Sequence, residues 1–172
     1  MAVQRLYVFP TEVGWMALVV EGPLVRRLVI GHGSRAAALA ALDFCCGAVE
    51  PDMDHPLIAR LQDYSAGAVD DFLDVPVAYG EKSPFAAKVV RHCRRIPAGK
   101  TISYGELARR AGSTGAARAV GTVMSKNEIP IIIPCHRVLA AGGRIGGYSA
   151  PGGLGTKRRL LELEARASAL HG

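Results

Sequence analysis

The chain has 172 residues, 49% of them apolar and 21% charged, which is enough apolar material for a core and too balanced a charge for wholesale disorder. No apolar run approaches the roughly 20 residues that span a bilayer, and the opening Met1-Ala2-Val3-Gln4-Arg5 lacks the apolar stretch and small-residue cleavage site of an export signal. The formal net charge of +6 is divided unevenly: residues 1–82 hold 6 Lys+Arg against 11 Asp+Glu, a net −5, while residues 83–172 hold 15 against 4, a net +11.

Residues 6–9, 15–20 and 24–30 read as three short strands, with Glu21-Gly22-Pro23 turning between the last two, so a small antiparallel sheet is expected. Residues 34–42 are Ala-rich and read as helix. Leu57, Leu61, Tyr64 and Ala68 recur at helical spacing and predict one helix over residues 56–72. Asp74-Val75-Pro76-Val77 reads as extended. Cys45 and Cys46 are adjacent, which suits neither a disulfide framework nor a metal-binding Cys pair. Without an export signal the thiols are expected to be reduced, in a cytoplasmic protein. His55 and His92 have no ligand spacing to Cys45 or Cys93, so neither a metal nor another cofactor is expected.

The charge changes sign near residues 79–82, and the chain is expected to divide there into units 1–80 and 81–172. A half as basic as the second fits a polyanionic partner, although a solvated basic surface would give the same count. Ser83-Pro84 opens a helix, Ser as N-cap and Pro in the first turn, with Phe85, Val89 and Cys93 on its inner face. Ser103 and Glu106 form the pattern of a capping box, and a short helix follows to Ala111. After the turn 112–115 a second helix covers 116–125, which is the layout of a helix-turn-helix. Its Ala116, Ala117, Ala119 and Gly121 surround a single Arg118. Such small side chains allow close approach to a nucleic-acid backbone, or equally to another helix. Residues 129–133 read as a buried extended segment, and the Gly-rich stretch 142–148 does not fit a nucleotide-binding loop. A last helix is expected from Gly155 or Thr156 to about Ala165.

Pro134-Cys135-His136 follows the Ile-rich segment directly. A thiol reacts as the thiolate, and an imidazole nearby can take its proton. Neighbouring side chains of a strand point to opposite faces, so the chain must turn at Cys135, or a water must relay the proton. Taken alone, the dipeptide would also fit a core Cys beside a surface His.

The segment Ile131-Ile132-Ile133-Pro134-Cys135-His136-Arg137-Val138 resembles the active-site signature of the O6-alkylguanine-DNA alkyltransferases, also called methylated-DNA–protein-cysteine methyltransferases. Further pieces match in order from Phe85 to Glu164: Ile96-Pro97-Ala98-Gly99, Ser103-Tyr104, Ala117-Arg118-Ala119-Val120-Gly121, Asn127, Gly147-Tyr148-Ser149, and residues 157–164. The resemblance implies an α/β N-terminal domain, a small antiparallel sheet with helices of RNase H-like kind. It also implies a mainly α C-terminal domain with a winged-helix-like helix-turn-helix. The implied reaction moves an alkyl group from O6 of guanine in DNA, with O4-alkylthymine left open, onto Cys135, once per protein molecule. His136 would deprotonate Cys135 through a water, Glu164 would orient His136, Asn127 would brace the turn, and Tyr104 would hydrogen-bond the leaving base. Arg118 would fill the stack after the base is flipped out. Ser103, Ala117, Ala119, Gly121, Arg137, Val138, Gly147, Tyr148 and Ser149 would contact DNA or the base. The implied partner is double-stranded DNA met in the minor groove, with no membrane, by a monomer whose cooperativity on DNA is open; a bacterial member would be nucleoid-associated. No cofactor or metal is implied.

Two positions depart from the family pattern. Val89-Val90 stands where the family often has an aromatic residue, and Glu128 follows Asn127 in place of Pro, which predicts a looser active-site turn. Competing readings are a module that binds alkylated bases without accepting the alkyl group, and a cysteine hydrolase or redox enzyme. The first would expect Cys135 to be replaced, and the second leaves Arg118 and the basic half unexplained.

Overall fold

The three expected strands form an antiparallel sheet in the order β1 (Gln4–Thr11), β2 (Gly14–Glu21), β3 (Leu24–His32) in the computed structural model, which describes residues 3–42, 54–78 and 82–171. Cys45, Cys46 and residues 79–81, where the change of unit is expected, lie outside the described residues. Leu6, Tyr7, Val8 and Phe9 are all buried, because both faces of the sheet are covered. Side chains alternate along a strand. Leu6, Val8, Ala17 and Val19 therefore pack with Ala38 of α1 (Arg35–Ala40), while Tyr7, Phe9, Met16 and Leu18 join the main core on the opposite face.

Helix α2 (Pro56–Ser65) is shorter than its spacing predicts. Leu57, Leu61 and Tyr64 are buried as expected, but Gly67 adopts φ +109° and Ala68 is exposed. The amides of Ala66, Gly67 and Ala68 turn back onto the carbonyls of Gln62, Asp63 and Tyr64, which ends the helix. Phe72 then returns to the core edge-on to Tyr64, with ring centroids 5.8 Å apart. Of the segment read as extended, Asp74 lies in a turn and Val77 alone bridges to Val25 of β3.

In the basic half, α3 (Pro84–Arg94) starts as expected: Ser83 Oγ accepts the Ala86 N–H, and Pro84 sits in the first turn, where no N–H is required. Val89, Val90 and Cys93 are buried, so the departure at Val89-Val90 affects core packing. Strand β4 (Ile102–Ser103) pairs in parallel with β5 (Val138–Leu139), which sets the start of α4 (Tyr104–Arg110) beside the turn holding Cys135. Half of the capping box at Ser103 forms: Ser103 Oγ accepts the Glu106 N–H at 3.0 Å, but the Glu106 carboxylate binds Arg109 and Arg110 instead of returning to the cap. Helix α5 (Ala117–Ser125) packs on α4 through Val120 and Met124 and leaves Arg118 and Ala119 exposed. Helix α6 (Leu154–His171) continues beyond the expected end at Ala165, burying Lys157, Leu160, Glu164 and Ala167 along one stripe. One core runs from Tyr7 and Phe9 of the sheet through Cys93 to Leu160, so the acidic and basic halves share a single interior.

Candidate active site

Residues 127–137 form the site by coiling rather than extending. Residues 129–133 were expected to be extended. All but Pro130 are buried, but Ile133 N–H bonds back to the Ile129 carbonyl, Ile131 adopts φ +69°, and Cys135 N–H returns to the Ile133 carbonyl at 2.7 Å. Pro130 and Pro134 remove two donors, and local bonds take up the N–H groups of Ile129, Ile132, Ile133 and Cys135 without a neighbouring strand. The chain then makes one 3-10 turn, Cys135–Arg137. Asn127 braces this coil: its Oδ1 accepts the Ile129 N–H, and its Nδ2 donates to the Ile133 carbonyl at 2.9 Å and to Cys135 Sγ at 3.1 Å. The Glu128 carbonyl, at the position where the family has Pro, accepts the Leu28 N–H and ties the turn to β3.

Behind the sulfur lies a fully buried charged cluster. His136 Nε2 meets Glu164 Oε1 at 2.7 Å, and Arg137 donates to both Glu164 oxygens, at 2.7 Å to Oε1 and 3.0 Å to Oε2. Tyr64 Oη donates to Oε1 as well, at 2.7 Å. Burial alone would raise the Glu164 carboxyl, but the charge and hydrogen bonds of His136 and Arg137 outweigh it and hold the group well below its ordinary range. Burial pushes the His136 imidazole down, against the opposing pull of Glu164. A neutral His136 gives its Nε2 proton to the carboxylate, which leaves Nδ1 as an acceptor. Nδ1 is buried and meets no hydrogen-bond partner among the described residues. Burial also pushes the Cys135 thiol up, while the Asn127 hydrogen bond, Lys157 and the amides of Cys135 and His136 pull it down. At neutral pH the thiol therefore keeps its proton until a base takes it, and the base available behind it is His136.

In front of the sulfur the site is open. A cavity of about 450 Å³ is lined by Tyr104, Gly121, Met124, Ser125, Cys135, Gly147, Tyr148 and Ser149, so α5 forms one of its walls. A second, of about 330 Å³, reaches Cys135 between β3 and residues 148–151. Tyr104 is packed against Gly146, whose φ is +67°; a Cβ there would lie 3.1 Å from Tyr104 Oη. Burial, then the nearby Cys135, raises the Tyr104 phenol, so it stays a donor. Lys157 is buried, donates to the Val138 carbonyl at 2.8 Å, and lies 5.8 Å from the Tyr104 ring centroid.

The structure thus brings Cys135, His136, Glu164, Asn127 and Tyr104 together, with Tyr148 and Ser149 on the pocket wall. Ser103 is engaged as the α4 cap, and Ala117, Ala119, Gly121 and Arg118 lie on α5. The Arg118 guanidinium is exposed and has no partner among the described residues. Two expected contacts with DNA are corrected. Arg137 is 1% exposed, because Glu164 and the Ile96 carbonyl hold its guanidinium inside. Val138 is 0% exposed within β5, and its carbonyl is taken by Lys157 Nζ, so it presents nothing to DNA. Sequence reasoning missed Tyr64 and Lys157. Only a partner 100 residues away in the chain gives Tyr64 its place in the cluster, and Lys157 resembles a surface lysine on an amphipathic helix.

Residues 84–166 match the family model described as the 6-O-methylguanine DNA methyltransferase DNA-binding domain. The chain is 38% identical over 154 residues to the methylated-DNA–protein-cysteine methyltransferase of Mycobacterium bovis, covering 84% of this chain and 89% of that one. The corresponding Metallosphaera sedula protein is 39% identical over 130 residues, covering 73% and 80%. The crystal structure of Mycobacterium tuberculosis OGT in complex with DNA superposes with a TM-score of 0.78 at 33% identity, over 95% of this chain and 94% of that one. With a sulfur braced by Asn127 and backed by His136 and Glu164 in the matched segment, the chain belongs to the methylated-DNA–protein-cysteine methyltransferase family.

Proposed function

We propose that this protein repairs DNA by direct reversal, transferring the alkyl group of O6-alkylguanine irreversibly to its own Cys135. The observation that carries the reading is the position of Cys135 Sγ, on a cavity walled by α5 with the His136–Glu164 pair behind it. The proton of Cys135 passes to Nδ1 of His136 through a water, and Glu164 steadies the imidazolium. As the S–C bond forms in line, the C–O6 bond breaks and its electron pair leaves with the guanine. Tyr104 donates a hydrogen bond to the ring as charge builds there. Asn127 holds the sulfur, and Ser149 with the backbone near Tyr148 and Gly147 meets the O6 edge. The product thioether is stable, and no group among the described residues is placed to return it to a thiol, so one molecule performs one repair.

A base within a duplex cannot reach this pocket and must be flipped out, at a cost of about a few kcal/mol. Arg118, exposed and unpartnered on α5, enters the stack in its place, while Ala117, Ala119 and Gly121 let the helix sit close in the minor groove. That groove carries little sequence information, which suits action wherever damage falls. The basic half supplies salt-dependent affinity. We assign residues 1–80 to an RNase H-like supporting domain and 81–172 to a winged-helix-like DNA-binding and acceptor domain. The protein is further proposed to be a cytoplasmic monomer; among the described residues no helix is long and apolar enough to cross a membrane.

The test is stoichiometry. A duplex carrying O6-[³H-methyl]guanine in excess should deliver one label per protein and then stop. Continued release of label as methanol would indicate a hydrolase, and tight binding without label would indicate a recognition module.

A further inference from the structure

The acidic half contributes one side chain to the charged cluster behind Cys135. Tyr64 lies on α2, 1% exposed, and its hydroxyl donates to Glu164 Oε1 at 2.7 Å. That oxygen also receives His136 Nε2 and the Arg137 guanidinium, each at 2.7 Å. Oε2 is less crowded, with Arg137 Nε at 3.0 Å and the Gly99 amide at 3.5 Å. A carboxylate oxygen has two in-plane lone pairs, so three short donors on Oε1 compete for the same charge.

We propose that Tyr64 is a positioning residue for the transfer: by sharing Oε1 it limits how strongly Glu164 holds the imidazolium formed on His136, and so sets the pH at which Cys135 yields its proton. The proposal rests on the reading of Cys135 as alkyl acceptor and deepens it. The groups facing Glu164 are Tyr64 from α2, the Gly99 amide after α3, His136 and Arg137 from the 3-10 turn, and the nearby Tyr148 phenol; Lys157, on the same helix, acts on His136. Burial, chiefly, keeps both phenols protonated, so His136, which burial holds below its ordinary value, is the member of the cluster that gains charge on acidification. Removing the Tyr64 hydroxyl returns charge to the His136 contact. His136 then binds its proton more tightly, so it stays protonated, and unable to take the proton of Cys135, up to a higher pH.

The test follows the rate of S-benzylation of the full-length protein by free O6-benzylguanine as a function of pH, with the adduct located at Cys135 by mass. In Tyr64→Phe the midpoint of the rising limb should move up by roughly half to one pH unit, the scale set by one hydrogen bond to a charged group. Site-specific 3-fluorotyrosine at position 64, a stronger donor of nearly the same shape, should move it down, and this arm stands even if Tyr64→Phe does not fold. A midpoint unmoved in the variants that fold, or one moved the opposite way, overturns the proposal, even if thermal stability falls. If the wild-type protein takes no benzyl group at Cys135, the acceptor reading fails first and the inference falls with it.

Discussion

The two sides of Cys135 are built on opposite principles. Behind it, Glu164, His136, Arg137 and Tyr64 are all at most 2% exposed, and nearly every polar atom has a partner. In front, the wall is sparse: Tyr104 is half-buried, Gly121 and Gly147 carry no side chain, Ser149 is exposed, and Arg118 has no partner among the described residues. The closed side fixes the proton chemistry and much of the fold. The open side leaves room for a base and for DNA. Substitutions behind the sulfur should therefore affect stability and intrinsic reactivity together, while substitutions in front should affect the use of duplex DNA with little cost to the fold.

The largest effect is expected for Glu164→Ala. It leaves Arg137 buried without its counter-ion and removes a partner from His136 and Tyr64, so stability should fall by about 3–5 kcal/mol, measured by urea unfolding. A loss below about 1 kcal/mol would mean the cluster behaves like a surface ion pair. Next is Arg118→Ala. Repair of O6-methylguanine in duplex should slow roughly 10–100-fold, matching a flipping cost of a few kcal/mol, with benzylation by the free base unchanged. Equal slowing on both substrates would move Arg118 to the closed side of the comparison. Asn127→Ala removes the donors to Cys135 Sγ and the Ile133 carbonyl, so benzylation should slow about tenfold and stability should fall about 1–3 kcal/mol.

The smallest effect is a gradual loss on acidification. Glu164 is held below its ordinary value of 4.5, so its contribution is present above that pH and lost as pH falls below it. His136 is held below 6.5 by burial, so from there downward the unfolded chain binds a proton that the folded one resists. The melting temperature should decline from pH 7 to pH 4, and Glu164→Gln, which lacks the first contribution, should flatten the lower part of the curve.

The same contrast explains what the sequence made legible. Short apolar runs and the Glu21-Gly22-Pro23 turn announce the sheet, and Ser83-Pro84 and Ser103 mark helix starts, because these signals act within a few residues. Cys135, His136 and Asn127 lie close in sequence and are bound into one motif. Failures arise where a distant partner or a single backbone angle decides. Ala68 continues the helical spacing of α2, yet Gly67 has already reversed the chain. Residues 129–133 have strand composition, yet Asn127 and two prolines coil them. Arg137 reads as a cation for DNA until Glu164, 27 residues later, turns it inward. The spacing of α2 marks Tyr64 for burial but not its bond to Glu164, and Lys157 carries no local mark of its burial.

The most direct test of the account is where the methyl group goes. A duplex with a single O6-methylguanine is mixed with the protein, and the digest is sequenced by mass. The account predicts a gain of one CH₂ unit on Cys135 and on no other residue, with guanine restored in the DNA. Restored guanine with Cys135 unmodified, or with the methyl group on Cys93, would contradict it.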